Sequence, residues 1–398
     1  MPTEPLCASY LNHAALTPPS AAVRAAVEGA LADFSQRGAG AFLQAVSQRR
    51  ELKGRLAGLL GGRAEDFALL PNTSAGLQAI AHALNWRAGE GVLLFEGEFP
   101  TNVIPWLQAA ARHGLRVEWA SLEPLRAPAG CDWGEVEAAL RRGVRLVCVS
   151  AVQFQTGLRV PLEPLADLCE RYGAELCVDG IQACGAVPLP LERVDYLASG
   201  GHKWLAAVEG AGLLYVHPRR IHALRPQTAG WLSVESPVDF LFEDDAPLDY
   251  QKPLRAEASA LEGGALCSLA YAALWASSAA LAAVGGGEGV RATYRHVNAL
   301  NDRLEAGLTA LGFESARLGD EGRRSCILSV RPRGGASLRH SVTGWAAALA
   351  ARGVSCATPA GWLRFSPHFH NTHAHIDIAL DALNAIAAGE PSVSRLGG

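Results

Sequence analysis

The 398 residues contain no CxxC pair, although there are nine cysteines: Cys7, Cys131, Cys148, Cys169, Cys177, Cys184, Cys267, Cys326 and Cys356. An odd, scattered set, partly inside apolar runs such as LVCVS and ELCVDG, reads as small buried hydrophobes and not as a disulfide framework. That usage predicts a reducing, cytoplasmic compartment. There is no surplus of positive charge either. With 35 basic residues against 39 acidic ones the net charge is −4, which gives no drive towards nucleic acid or an anionic membrane. Neither GxGxxG after a strand nor GxxxxGK[ST] occurs, so dinucleotide and P-loop binding lack their signal. The first twenty residues show no basic stretch leading into an apolar one, so no secretion signal is expected. One run, Ala265–Val284, has the length of a membrane span. It is made of Ala and Ser where a span would use Leu and Ile, a composition suited to close packing inside protein. Internal repeats and low-complexity tracts are missing too.

What the chain does have is apolar surface. Hydrophobic residues make up 49% and charged ones 19%, enough for a sizeable core and unlike a disordered or collagen-like chain. Helical periodicity is predicted over 21–34, 47–60, 74–84, 103–113, 133–142 and 161–172. Short apolar runs lie between, at 91–95, 115–119, 146–150, 176–179, 196–199 and 212–216. Such runs flanked by amphipathic helices are what buried parallel strands look like, so an α/β fold is expected. Residues 236–255, rich in Pro and acids, read as an excursion over the surface or across an interface. After the Ala-rich helix and the joint GGGEGV come helix 291–311, strand 325–330, helix 337–352, strand 362–366 and helix 376–387. The expected organisation is therefore a strip at 1–20 lining the site, a large domain at 21–264, and a linking helix with a small α/β domain at 265–398.

Four places carry chemistry. Asp179 ends an apolar strand, where α/β sheets place their ligands. Lys203 comes 24 residues later in a Gly-Gly-His-Lys turn, and confinement there would favour its neutral, nucleophilic amine. An amine and a carboxylate on one crevice is the pairing that pyridoxal phosphate requires, one to hold the aldehyde and one to keep the ring nitrogen protonated. A surface lysine and a turn-capping aspartate are the plain alternative. Thr73 and Ser74 in PNTSAGL sit between an apolar run and a helix, and offer either a cup for one phosphate or an ordinary helix cap. Arg364, mid-strand in WLRFS, must find an anion, from a ligand or from a structural acid. His368, His370, His373 and His375 invite a metal reading, but no carboxylate or cysteine completes the set, and no metal is expected.

Taken in order, NTS, GEFPTNVIPW, VSAVQFQTG, VDGIQACGAVP, GGHKW and LRFSPHFHNT resemble the class-V aminotransferase group of fold-type I pyridoxal-phosphate enzymes. This group includes cysteine desulfurases, selenocysteine lyases, kynureninases and isopenicillin-N-epimerase-like proteins, and the resemblance runs from Tyr10 to Ala387. It implies a large, mainly parallel seven-stranded domain with a smaller C-terminal one, a homodimer with its sites at the interface, bound pyridoxal 5'-phosphate and a small amino acid as substrate. By position it makes Lys203 the Schiff-base lysine and Asp179 the partner of the pyridine nitrogen. Gln182 falls beside the phenolic oxygen, and His202, Thr73 and Ser74 fall on the phosphate. Phe99 takes the place of a ring-stacking histidine. Gln153 falls by the phenolic oxygen or substrate, a strand-end amide satisfied by backbone being its alternative. Arg364 would fork onto the substrate carboxylate, and Asn12 and His13 would line the substrate side.

Two departures narrow the function. Sulfur-transferring relatives carry a nucleophilic cysteine in an extended loop. Here that loop is short, and Cys356 lies only eight residues before Arg364, so Cys356 is expected to pack and not to carry sulfur. Gly200 and Gly264 stand where relatives often have Ser and Thr. Phosphate binding is therefore expected to lean on backbone N–H groups or on Trp231 from a second subunit. The expected function is a pyridoxal-phosphate-dependent aminotransferase or C–S lyase acting at the α-amino group or β-carbon. A cysteine desulfurase or selenocysteine lyase is the alternative within the family. A non-catalytic cofactor-binding scaffold and a nicotinamide-dependent enzyme are the alternatives outside it.

Overall fold

The computed structural model describes residues 7–127, 129–242 and 248–390. The start of the N-terminal strip, residues 243–247 of the excursion and the last eight residues lie outside them. Strand β1 (Ser9–Tyr10) leads to helices α1 (Ala21–Arg37) and α2 (Phe42–Leu60). Next come β2 (Phe67–Leu70), α3 (Thr73–Ala83), β3 (Gly91–Phe95), α4 (Ile104–His113), β4 (Arg116–Ala120), α5 (Gly134–Arg141), β5 (Val144–Ser150), α6 (Leu162–Tyr172), β6 (Glu175–Asp179), β7 (Tyr196–Gly200) and β8 (Gly212–Val216). Single turns α7 (Pro218–Ile221) and α8 (Asp239–Phe242) precede α9 (Ser268–Ala283) and α10 (Val290–Ala310). The chain ends through β9 (Phe313–Ser315), β10 (Leu328–Pro332), α11 (Val342–Ala350), β11 (Val354–Ser355), β12 (Leu363–Phe365) and α12 (His373–Ala388). Helix α2 starts five residues before the expected point, and the helix expected over 337–352 divides into a 3-10 turn and α11. Strands β1, β9 and β11, two or three residues each, are too short to show a period in sequence.

The central sheet has seven strands in the order β2-β8-β7-β6-β5-β3-β4, and β8 alone runs against the others. Side chains alternate across a strand, so each strand feeds two cores. In β6, Leu176 and Val178 enter one apolar cluster and Cys177 the other; in β8, Leu213 and Tyr215 part from Leu214 and Val216 in the same way. Helices α3 and α4 cover one face through Leu77, Ile80 and Trp106. Leu52 and Leu56 of α2, Leu165 of α6 and Tyr271 and Leu274 of α9 cover the other. Burial on both faces explains why these strands read as continuous apolar runs. Helix α9 is the core of the run that, extended to Ser268–Gly286, has the length and apolarity to cross a membrane. Here it packs against α1 and α2, and the Tyr271 hydroxyl donates to the carbonyl of Leu70 at 2.9 Å.

A second, three-stranded antiparallel sheet, β12-β10-β9, has its own apolar cluster around Leu304, Leu328, Trp345, Phe365 and Leu383. The N-terminal strip joins this part of the chain: β1 pairs with β11, and Asn12 bridges to Ser366. That crossing carries residues 13–17 along the rim of the large sheet.

Candidate active site

Parallel strands deliver their C-terminal ends to one rim, and the loops leaving β2, β3, β6 and β7 meet Arg364 of β12 there. They enclose a cavity of about 450 Å³, within the range of small-ligand sites. Thr73, Ser74, Phe99, Asp179, Gln182, His202, Lys203 and Arg364, all expected from sequence, line it.

Asn72 starts α3 by accepting a hydrogen bond from the Ala75 N–H at 2.9 Å. The N–H groups of Thr73 and Ser74 are left at the helix N-terminus, the favoured end for an anion. Gly76 lets this end approach the sheet, since a Cβ there would lie 2.7 Å from Cβ of Ala198 in β7. The Thr73 hydroxyl accepts from the Gly200 N–H at 2.8 Å, which ties the helix to the strand carrying the lysine turn.

Lys203 lies in that turn. Gly201 is needed there because a Cβ would sit 3.0 Å from the carbonyl of Ala211, and Ala206 closes the turn at φ +54°. Burial is the main influence on Lys203 and lowers its pKa to about 8, against the opposing pull of Asp179. Asp179 ends β6 and accepts from the Ile181 N–H at 2.9 Å. Burial outweighs that bond and the nearby Lys203, raising the carboxyl to about 6. The Lys203 amine lies 5.9 Å from the centroid of Phe99, whose ring is 48% exposed. Gln182 is held at both ends: its Nε2 donates to the Ala14 carbonyl at 2.9 Å and its Oε1 accepts from Trp204 Nε1 at 2.7 Å. His202 is pushed below the usual histidine range, first by burial and then by Lys203.

Arg364 is 4% exposed. Its Nη1 donates to the Phe154 carbonyl at 2.8 Å, its Nε has no partner, and no carboxylate among the described residues pairs with it. Burial alone lowers its pKa to about 10. A buried guanidinium turned to an open cavity without an acid is a site for an anionic ligand.

The cavity wall of this chain differs from the expected one at two places. Asn12 and His13 do not line the cavity; Ala14 and Ala15 do. His13 is buried among Tyr10, His368 and His370, with Nδ1 3.0 Å from the Thr17 hydroxyl. Gln153 is also off the cavity wall. Its Nε2 donates to the Gly97 carbonyl and its Oε1 accepts from the N–H groups of Gln155 and Thr156, so the amide closes its own turn and the next residue, Phe154, faces the cavity. Trp231, expected to reach the phosphate from a second subunit, stacks on Phe42 in its own chain.

Sequence reading missed four residues. Thr17 donates to the Lys203 carbonyl at 2.7 Å. Thr101 pairs with the Ser74 hydroxyl at 3.0 Å, and Phe154 lies one position from Gln153. Glu98 accepts from the Ser150 N–H at 2.7 Å and also bonds the Ser150 hydroxyl. Burial raises the Glu98 carboxyl to about 7, with Asp179 among the lesser causes. Glu98 lies within the GEFP motif, which was the available signal; Thr17 had none. Cys356 is not on the cavity wall, and burial lifts its thiol to about 12. Buried His368 accepts from the Phe369 N–H at 2.7 Å and lies 3.0 Å from the Trp204 carbonyl. Among the described residues no group of three His, Cys, Asp or Glu side chains is placed to hold a metal.

A family model described as Aminotransferase class-V matches residues 10–378. Isopenicillin N epimerase of Streptomyces clavuligerus is 33% identical over 178 residues, 44% of this chain and 45% of that protein. A probable cysteine desulfurase of Chlamydia muridarum is 31% identical over 212 residues, 52% of this chain and 51% of that protein. The chain thus spans about half the length of these curated relatives. Among solved structures, the cystine C–S lyase C-DES in complex with its reaction product cysteine persulfide superposes with TM-score 0.81 at 21% identity, over 97% of this chain and 99% of that one. This shows that the fold is shared.

Proposed function

The chain belongs to the class-V aminotransferase family, and we propose that it is a pyridoxal-phosphate-dependent enzyme acting on the α-amino group or β-carbon of a small amino acid, as an aminotransferase or C–S lyase. One observation carries this reading: Lys203, Asp179 and an acid-free Arg364 line the same cavity. The donor set fits the cofactor. An anion cup opens at α3, an acid and an amine line the same cavity, and Phe99, exposed on its wall, offers a ring to stack on.

When bound, pyridoxal phosphate supplies an aldehyde that condenses with amines and a ring that accepts electrons from Cα. Thr73, Ser74 and His202 would hold the phosphate. Lys203, with its pKa lowered to about 8, keeps a neutral fraction near pH 7, so its Nζ would be the amine that holds the aldehyde. The same nitrogen would take and return the Cα proton. Asp179, raised to about 6 by burial against the opposing pull of Lys203, would hold the proton on the ring nitrogen. Arg364 docks the α-carboxylate through paired N–H groups. Cys356, a half-buried thiol off the cavity wall with its pKa pushed up to about 12, supports a product released freely over one relayed as persulfide.

Two coarser features accompany this reading. Exposed Leu241, Leu248, Tyr250 and Leu254 support a homodimer in which a second copy covers them. Nine unpaired cysteines support a reducing, cytoplasmic compartment. The test is direct. Purified protein reconstituted with the cofactor is reduced with borohydride, and the adduct is located by peptide mass. Substrate products are then sorted into keto acid, pyruvate with ammonia, alanine with sulfide, or inverted amino acid. An adduct at Lys203 supports the reading; reduction that leaves Lys203 unmodified removes it.

A further inference from the structure

The part of the cavity next to Arg364 carries its own chemistry, and the specificity assigned to it rests on the cofactor reading. Among the described residues, Asp179, His202, Lys203 and Arg364 are the only titratable side chains on the wall. All four already have roles at the ring, phosphate, aldehyde or carboxylate. Of the other polar residues, Asn72 caps α3 and Thr101 bonds Ser74. Around the guanidinium the wall is Phe154, Ala357 and Pro359, with Phe99 beyond. Phe154 and Phe99 meet edge to face, centroids 5.4 Å apart at 84°. Ala357 exchanges both backbone hydrogen bonds with Arg364, at 3.0 and 2.7 Å.

Phe154 is rigidly placed. Its turn is closed by the Gln153 amide and fastened to the C-terminal part of the chain by Ser325, whose hydroxyl donates to the Gly157 carbonyl at 2.7 Å, and by Ser329, which donates to the Gln155 carbonyl. Its carbonyl aims Arg364 while its ring borders the space beside it.

We propose that the substrate is an amino acid with an uncharged, apolar side chain (aliphatic, aromatic or thioether) and that Phe154 determines this specificity by receiving that side chain while its carbonyl positions Arg364. A substrate docked by its carboxylate on Arg364 turns its side chain to this apolar wall. A charged side chain there is desolvated with no counter-charge among the described residues of this chain, which is strongly unfavourable. Hydrophobic pockets discriminate by about 10- to 200-fold per methylene.

The experiment uses the reconstituted holoenzyme. Borohydride labelling of Lys203 first tests the cofactor reading by itself. Dissociation constants from the change in cofactor absorbance are then measured for leucine, phenylalanine, methionine, aspartate, glutamate and lysine. Thermal shifts of the borohydride-reduced protein with 4-methylpentanoate and with glutarate give a readout free of turnover. Leucine, phenylalanine and methionine are expected to bind at least about tenfold more tightly than the charged three, and only 4-methylpentanoate to raise the melting midpoint. Phe154→Ala should erase the preference, and Phe154→Arg should move it towards glutamate. A labelled Lys203 with a preference for charged amino acids, or with none, overturns the specificity proposal and leaves the cofactor reading standing. An unlabelled Lys203 overturns both. The unsubstituted protein decides the matter even if a variant misfolds.

Discussion

The hydroxyl of Thr17 donates to the backbone carbonyl of Lys203 at 2.7 Å, and the Thr17 N–H donates to the carbonyl of His202 at 2.8 Å. The N-terminal strip therefore holds the lysine turn from behind and, among the described residues, presents only Ala14 and Ala15 to the cavity. Thr17→Val keeps the side-chain shape and removes the hydroxyl, leaving the Lys203 carbonyl with the Ala206 N–H as its partner and buried His13 Nδ1 without its 3.0 Å bond. The expected cost is about 1–3 kcal/mol, read as a lower urea midpoint, with faster loss of cofactor in dialysis. An unchanged midpoint would show that the strip does not support the turn.

Lys203 makes the stability of the cofactor-free protein depend on pH in a defined window. Its folded pKa of about 8 lies below the ordinary lysine value of 10.5, so between these values the unfolded chain binds more protons than the folded one. Stability then rises with pH across that interval. Relative to Lys203→Met, the unsubstituted protein should gain stability from pH 8 to pH 10.5 and gain nothing from pH 6 to pH 7. Parallel denaturation curves for the two proteins at every pH would contradict the burial of the amine.

Arg364 should trade stability for binding. Replacing a buried guanidinium that lacks an acid with Met removes a desolvation cost, and the cofactor-free variant is expected to be about 1–4 kcal/mol more stable. The same change should raise KM at least about tenfold, since hydrogen bonds to a charged group are worth roughly 1.5–3 kcal/mol, with a smaller effect on kcat. Arg364→Lys should recover little, because an ammonium cannot fork onto a carboxylate. A KM within twofold of the original would place the carboxylate elsewhere.

Cys356→Ala should leave turnover within about twofold of the unsubstituted protein and cost stability only through a small packing loss, about 1 kcal/mol. Persulfide trapped on Cys356 during turnover would instead make it a sulfur carrier, despite a thiol raised to about 12.

Much of this molecule was legible in its residues because the relevant signals are local. The limits of β3 and β8 fall where apolar runs start and stop. Both are buried on two faces, so no alternating pattern had to be recognised. Asp179 and Lys203 could be singled out because a strand end and a glycine turn announce their places. Gln153 and Phe154 show where such reading fails. Adjacent residues in a turn point in different directions, and which of them faced the cavity depended on an amide bonding back to Gly97, 56 positions away.

Sequence alone determined which groups this chain can bring to a reaction: one confined lysine, one strand-end aspartate, one arginine in an apolar strand. Only the tertiary structure decided which of them meet, that no acid among the described residues neutralises Arg364, and that the N-terminal strip turns His13 inward and Thr17 onto the lysine turn. The physical reason is that composition and periodicity report local free energies, whereas burial, unpaired charge and side-chain direction exist only once segments hundreds of residues apart have packed together.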